Sequence, residues 1–212
     1  MNLYFSHKSK AYVDKKLKHF DGAYFYSKEL VKNILPKVKT DRPFITINLC
    51  DNYCDNAVIF IHDNINPYRY VFLKKYKNLI LVCSRFETVK ALVDLLPRFH
   101  VVYLPLSIDT KYVSKFTSES KNKDKCYVGR KSTIPGGLPE VDYLCNLERD
   151  DLLRKLSHYK LAYAVGRCLL EAKCLGLKTV NTSLLHGSED LLDNKEVIPV
   201  LQKLINEIDG IK

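Results

Sequence analysis

A glycine turn that opens a short helix is the strongest chemical signal in the sequence. Gly166 ends an apolar run, and the helix-period segment after it continues to Gly176, where glycine easily adopts the left-handed conformation that ends helices. The amides after Gly166 would seat a phosphate group, because a helix N-terminus presents unpaired N–H groups and a positive partial charge. Glu171 follows about one and a half turns into the helix. The pattern predicts an anion site with a carboxylate beside it.

A second cluster of phosphate-binding residue types follows another apolar run. Gly129, Arg130 and Lys131 stand together where that predicted strand ends. A guanidinium offers a planar fork to two phosphate oxygens, and a glycine before it lets the backbone come close to a ligand. Lys131 supplies a second positive charge. The alternative interpretation of Arg130 and Lys131 is an ordinary polar strand end.

Residues 163–180 resemble the donor-site motif of GT-B fold glycosyltransferases, of the retaining, nucleotide-sugar-dependent group 1 or family 4 type. In that family a glycine turn, a helix carrying Glu-Ala and a later glycine precede a short strand, and all of these are present here. The resemblance implies that Glu171 binds the ribose hydroxyls of the donor nucleotide, with Gly166 and Arg167 beside its phosphates. The family has a second glutamate eight residues before the first, where this chain has Tyr163.

Two other stretches resemble the same family. Residues 126–131 are similar to the opening of its second domain, whose arginine grips the donor diphosphate, and this implies donor binding by Gly129, Arg130 and Lys131. Residues 101–113 are similar to its passage from the first domain to the second. The chain is much shorter than is usual for the family. It therefore resembles a compact, trimmed member, of the kind that small viral genomes such as those of phages encode.

A histidine at a predicted strand end is the candidate catalytic residue of the first half. Residues 57–64 end a strand in His-Asp, as many members of the family do at the cleft, and the resemblance implies that His62 approaches the donor sugar. The alternative is a strand-end histidine that is hydrogen-bonded to the backbone. Ser84, which follows another predicted strand, is a weaker candidate for the cleft.

Composition predicts a globular protein with free thiols. Of the 212 residues, 46% are hydrophobic and 27% are charged, and no apolar run reaches the roughly 20 residues of a membrane span. The first 20 residues are too charged for a signal peptide. The seven cysteines form no CxxC pair, which favours buried thiols in a reducing cytoplasm over a metal site. We expect a cytoplasmic location, meaning the host cytoplasm if the protein is viral, and no obligatory metal or other cofactor.

The net charge of +10 is uneven along the chain. Residues 1–40 hold nine Lys or Arg against three Asp or Glu, whereas residues 101–212 hold seventeen against fifteen. A basic front half predicts an anionic partner such as nucleic acid or a phospholipid surface. The alternative is a solvated lysine-rich helix face at residues 14–18. For a glycosyltransferase the partner would be an anionic acceptor, such as modified DNA or a cell-envelope polymer. The small size makes a homodimer plausible.

Short apolar segments alternate with helix-period segments, which predicts α/β architecture with mostly parallel sheets. We expect two small Rossmann-like domains, residues 1–113 on the acceptor side and 126–212 on the nucleotide-sugar side, joined by a linker at 114–125. The predicted strands are residues 1–6, 23–27, 43–49, 57–62, 79–84, 101–104, 126–129, 161–165 and 177–180. The predicted helices are residues 8–19, 28–35, 70–76, 87–95, 150–158, 167–175 and 197–208.

Three functional hypotheses follow from the sequence. The first is a glycosyltransferase whose nucleotide diphosphate sugar lies between the two domains. The second is a binding module on a degraded GT-B fold that holds a nucleotide or nucleic acid without turnover, which the tyrosine at position 163 favours. The third is a basic nucleic-acid-binding protein whose similarity to glycosyltransferases is coincidental.

Overall fold

The computed structural model of the chain describes residues 22–47, 49–62, 66–129, 131, 134–182 and 190–210. Two four-stranded sheets form its centre, and every strand pair in them is parallel. The predicted α/β class with two parallel-sheet units is therefore confirmed. The predicted strand at residues 1–6 and the predicted helix at residues 8–19 lie outside the described residues.

The first sheet has its strands in chain order, β1-β2-β3-β4. Its inner strands are apolar throughout because helical segments cover both faces, which leaves no solvent-facing position for a polar residue. The strands are β1 (Phe44–Thr46), β2 (Val58–Ile61), β3 (Ile80–Cys83) and β4 (His100–Tyr103). The connecting helices are a 3-10 helix (Pro67–Lys75) and helix α2 (Phe86–Leu95), which both pack on one face of this sheet.

The segment before the first sheet is helical. Helix α1 (Gly22–Glu29) continues as a π-helical turn (Leu30–Ile34) and a 3-10 turn (Leu35–Lys37). The predicted strand at residues 23–27 is therefore wrong. The apolar and aromatic residues there suggested a strand, but the buried positions Ser27, Leu30 and Ile34 recur at helical spacing and extend the helix toward its N-terminus.

The second sheet has the strand order β6-β5-β7-β8. Three helices pack against the sheet face that carries Cys126, Val128 and Ala162. Its strands are β5 (Lys123–Val128), β6 (Asp142–Leu144), β7 (Tyr159–Ala164) and β8 (Lys178–Asn181). Its helices are α3 (Thr110–Ser114), α4 (Arg149–Leu156) and α5 (Arg167–Cys174). Gly176 follows α5 with φ of 74°, which confirms the predicted left-handed end of this helix.

The last helix returns to the first sheet. Helix α6 (Asn194–Gly210) places Val197, Leu201 and Ile205 in the core formed by α1 and the other face of the first sheet. The amphipathic helix predicted at residues 197–208 is thus confirmed, and it belongs to the first core although it follows the second sheet in sequence. No helix within the described ranges is long and apolar enough to cross a membrane.

Candidate functional site

The strand order of the second sheet creates a switch point between β5 and β7. The chain passes from β5 to β6 on one side and then returns to β7 on the other side, so the direction of winding reverses there. In open parallel sheets, ligands bind outside the carboxyl ends of the strands at such a point. The last residue pair of these strands is Val128 and Ala164. The loops that begin with Gly129 and Val165 therefore leave the sheet side by side, as the sequence-predicted site requires.

Gly166 forms the N-terminal cap of α5 in a conformation that favours glycine. Its φ is 53° and its ψ is −125°, and no side chain of the described residues caps this helix end. The Gly166 carbonyl accepts a hydrogen bond from the Leu169 amide at 3.1 Å. A residue of the first-sheet unit lies close to this helix end. A Cβ built on Gly166 would lie 3.8 Å from Nη2 of Arg85, the residue that precedes α2. The helix end thus lies between the two sheets with a cation from each side close by.

Arg167 is buried at the start of α5 between two carboxylates. Its Nε donates to Glu171 Oε1 at 2.8 Å, and its Nη2 pairs with Glu29 Oε2. Burial by itself would lower the pKa of Arg167, but the Glu171 and Glu29 carboxylates raise it, so the guanidinium stays charged. Its Nη1 is buried and has no hydrogen-bond partner among the described residues. A buried unpaired donor is costly, so Nη1 is an atom that an incoming acceptor would satisfy.

Glu171 is also buried and holds two arginines together. Its Oε1 accepts from Arg167 Nε and pairs with Nη2 of Arg149 at 3.0 Å. Arg149 is the first residue of α4, so Glu171 joins the two helices that flank β7. Glu171 lies about one and a half turns into its helix, as the sequence predicted. The resemblance implied ribose hydroxyls as its partners, whereas both of the side chains that pair with it among the described residues are arginines.

Glu29 links the two sheets through a buried polar network. It is the last residue of α1, and its Oε1 accepts from the Asp109 amide at 2.9 Å and from Asn194 Nδ2 at 2.7 Å. Asn194 in turn accepts from the Ser107 hydroxyl at 2.8 Å. Together with the pair to Arg167, these bonds join α1, the segment between the sheets, α6 and α5.

His62 is buried at the carboxyl end of β2, between aromatic rings. Its ring centroid lies 4.6 Å from that of Tyr26 in an edge arrangement and 6.1 Å from that of Phe60. Burial lowers the pKa of His62 to about 3, so the imidazole is neutral near neutral pH. Neither ring nitrogen has a hydrogen-bond partner within the ranges that the structure describes. The backbone-bonded alternative is therefore wrong for its side chain, and its catalytic role stays a prediction. Ser84 is likewise buried, directly after β3.

Tyr26 connects His62 to the ionic network. Burial raises the pKa of Tyr26 to about 12, while a hydrogen bond with Ser107 opposes the rise. The charges of Glu29 and Arg167 also act on this phenol, which places it between the histidine and the ion pair. A continuous set of buried polar groups thus runs from the carboxyl edge of the first sheet to that of the second.

The loop after β5 carries the other predicted donor-binding residues. A Cβ on Gly129 would lie 2.6 Å from the Tyr127 hydroxyl, so only glycine fits there without a shift. Its backbone hydrogen-bonds to Cys145, whose thiol also lies within the influence of the Lys131 charge. Lys131 is exposed, and Arg130 lies outside the described residues.

Two cysteines border this site as protonated thiols. Burial raises the pKa of Cys168, in the first turn of α5, to about 12, and it raises that of Cys145 as well. Neither thiol is therefore a strong nucleophile near neutral pH. None of the seven cysteines is in a disulfide, and no group of three or more metal-ligating side chains occurs within the described part of the chain.

Sequence reasoning missed four members of this cluster: Glu29, Arg85, Arg149 and Asn194. Each is an ordinary polar residue at a helix terminus, and no motif marks it. The positions of Arg85 and Arg149, just before predicted helices at residues 87–95 and 150–158, were the only available signal. Their convergence depends on how the two sheets pack together.

No protein-family model, curated protein or solved structure matches the chain.

Proposed function

We propose that the chain is a glycosyltransferase that moves a sugar from a nucleotide diphosphate sugar to an anionic acceptor. The observation that carries this proposal is the environment of Arg167. A charged, buried guanidinium, whose Nη1 has no partner in the described part of the chain, stands at a helix N-terminus, at the switch point of a parallel sheet. Each of these three features favours a phosphate-bearing ligand.

The donor diphosphate would occupy the space outside β5 and β7. The amides that follow Gly166, the Arg167 guanidinium and the Lys131 ammonium would contact it, and the resemblance adds Arg130 to this set. Arg85 brings a cation from the first sheet to within reach of Gly166. As the bond between the sugar and the diphosphate breaks, negative charge grows on the diphosphate. Fixed positive groups in a water-poor site stabilise that charge most strongly.

Glu171 would have two tasks in this arrangement. Its Oε1 fixes Arg167 and Arg149 in place, and its Oε2 is the atom proposed to accept from the ribose hydroxyls. His62 would act as a neutral group that hydrogen-bonds the sugar, since burial keeps its imidazole uncharged. Proton donation by His62 is not part of the proposal.

The second candidate is a module that binds a nucleotide without turnover. The observation in its favour is that both arginines closest to Glu171 are engaged with it, while Tyr163 stands where the resembled family has another acid. In this case the same cations would bind the diphosphate, but no sugar would leave.

Incubation with UDP-, GDP- and ADP-sugars, with and without DNA, tests the proposal through the release of nucleoside diphosphate. Lys131→Ala should lower the release, because it removes a cation proposed to contact the diphosphate. Lys131 is exposed, so we expect the fold to tolerate the change. Lys160→Ala is the matched control, since Lys160 is exposed at the opposite end of β7, where it pairs with Asp124. Calorimetric binding of the nucleoside diphosphate without release would favour the second candidate, and neither binding nor release would refute both.

A further inference from the structure

The 3-10 helix Pro67–Lys75 presents an outer surface that combines rings and cations. Asn66 begins the helix by accepting from the Tyr68 amide at 3.0 Å, and Pro67 follows in the first position. Tyr70 and Leu73 face the core, because side chains three residues apart lie in line on a 3-10 helix. The remaining positions form two outward rows. One row is Tyr68, Val71 and Lys74, and the other is Arg69, Phe72 and Lys75.

Large apolar side chains are unusually open on this surface. Tyr68 is 69% exposed, Phe72 is 39% exposed and Val71 is 37% exposed. Phe72 is supported from below by Tyr53, whose ring centroid is 4.9 Å away in an edge arrangement. Exposed rings next to one another on a monomer surface commonly mark a binding site.

The charge on this surface has one sign. The helix contains Arg69, Lys74 and Lys75 and no acidic residue, and all three cations are exposed. The Lys75 ammonium lies 5.1 Å from the centroid of the Tyr76 ring. Each outward row therefore pairs an aromatic side chain with a cation one or two turns away, about 6 Å of rise per turn.

We propose that this surface, formed by the six outward residues from Tyr68 to Lys75, binds single-stranded nucleic acid. Aromatic rings stack bases of any sequence, and a row of cations follows the phosphates, which is how single-strand binding grooves work. A membrane surface fits less well. A helix that lies in a bilayer needs an apolar face separate from its basic face, whereas the apolar face of this helix, Tyr70 and Leu73, is used by the core.

This inference is independent of the proposed sugar transfer. The helix follows the carboxyl end of β2, the same sheet edge at which His62 lies. The occupant is identified by its chemistry, namely unpaired bases joined by phosphates.

Fluorescence anisotropy of the full chain with a labelled oligothymidylate of about 12 nucleotides tests the proposal without any donor. Tyr68→Ala should weaken binding about five-fold or more, because each stacked base contributes at that level. The triple variant Arg69→Ala, Lys74→Ala, Lys75→Ala should reduce the magnitude of the slope of log affinity against log salt by about 2, since each phosphate contact on a single strand contributes about 0.7. Lysines elsewhere in the chain contribute equally to the salt dependence of every variant, so the difference between variants reports this surface alone.

Two variants serve as controls. Tyr143→Ala removes an exposed tyrosine from the second sheet, and Lys203→Ala removes an exposed lysine from α6, on the opposite face of the first sheet. Both should bind the oligonucleotide like the unaltered chain. Equal binding by Tyr68→Ala and the unaltered chain would overturn the proposal. Binding to phosphatidylserine vesicles that the triple variant loses, with no binding of the oligonucleotide, would overturn it in favour of a membrane surface.

Discussion

The guanidinium of Arg167 and the carboxylate of Glu29 form an ion pair that joins the two sheets, and both side chains are at least nine-tenths buried. In Glu29→Gln, buried Arg167 would keep only Glu171, which it shares with Arg149, so one positive charge would lose its counter-charge. We therefore expect Glu29→Gln to lower the free energy of unfolding by about 3 kcal/mol. Urea denaturation measures this change. Glu207→Gln, which breaks an exposed pair with Lys203, should cost about 1 kcal/mol or less, and similar losses in both variants would contradict the prediction.

Acid should destabilise the protein through His62. Its pKa is lowered from 6.5 to about 3 by burial, so between these values the unfolded chain binds a proton that the folded chain does not. The contribution of neutral His62 to the free energy of unfolding is therefore fully present above pH 6.5. It falls by about 1.4 kcal/mol for each pH unit between pH 6.5 and about 3. His62→Phe should remove this part of the pH dependence. The measurement is the free energy of unfolding of the unaltered chain and of His62→Phe between pH 7 and pH 5. If the two plots against pH are parallel, the prediction is wrong.

A side chain at position 166 should strain the backbone of the proposed anion site. Gly166 has a φ of 53°, and a Cβ there would make only ordinary contacts at 3.8 Å, so Gly166→Ala would introduce backbone strain of about 1–3 kcal/mol without a steric clash. The same variant should bind nucleoside diphosphate more weakly, because the amides after this residue would move. Thermal unfolding and calorimetry measure the two effects. Gly136→Ala is the control, since it has open space and should change stability by less than about 0.5 kcal/mol.

Position 129 should be restricted to glycine for a different reason. A Cβ there would lie 2.6 Å from the hydroxyl and 2.9 Å from Cζ of Tyr127, which is fully buried. Gly129→Ala should therefore cost about 1–3 kcal/mol through overpacking. Tyr127→Phe removes the closest atom, so the double variant should lose less than the sum of the two single variants. Strict additivity in chemical denaturation would rule out this contact as the cause.

The strands of the first sheet and the two ends of helix α5 could be predicted from the sequence because their signals are local. Residues 58–61 and 80–83 are apolar throughout, as strands covered on both faces must be, and Gly166 and Gly176 bracket their helix in the chain itself. The partners of Arg167 and Glu171 could not be predicted in this way. Glu29 and Arg149 are joined to them only by tertiary packing, and a carboxylate that will be buried looks the same in sequence as one on the surface.

Local signals also failed where two patterns competed. Residues 23–27 contain aromatic residues that favour strands, but the helical spacing of buried positions that continues into the next segment decided their conformation. The amphipathic face of residues 197–208 was evident in the sequence. Its helical periodicity indicates that the helix packs against an apolar surface, but it does not indicate which of the two cores provides that surface. The structure shows that this is the first core.

The return of α6 to the first sheet sets an order for events on the ribosome. Strands β1 to β4 leave the exit tunnel early, but the helix that completes one side of their core is made after the entire second sheet. A nascent chain therefore carries an incompletely covered first sheet for most of its synthesis, and chaperones that recognise exposed apolar surface have their longest opportunity there.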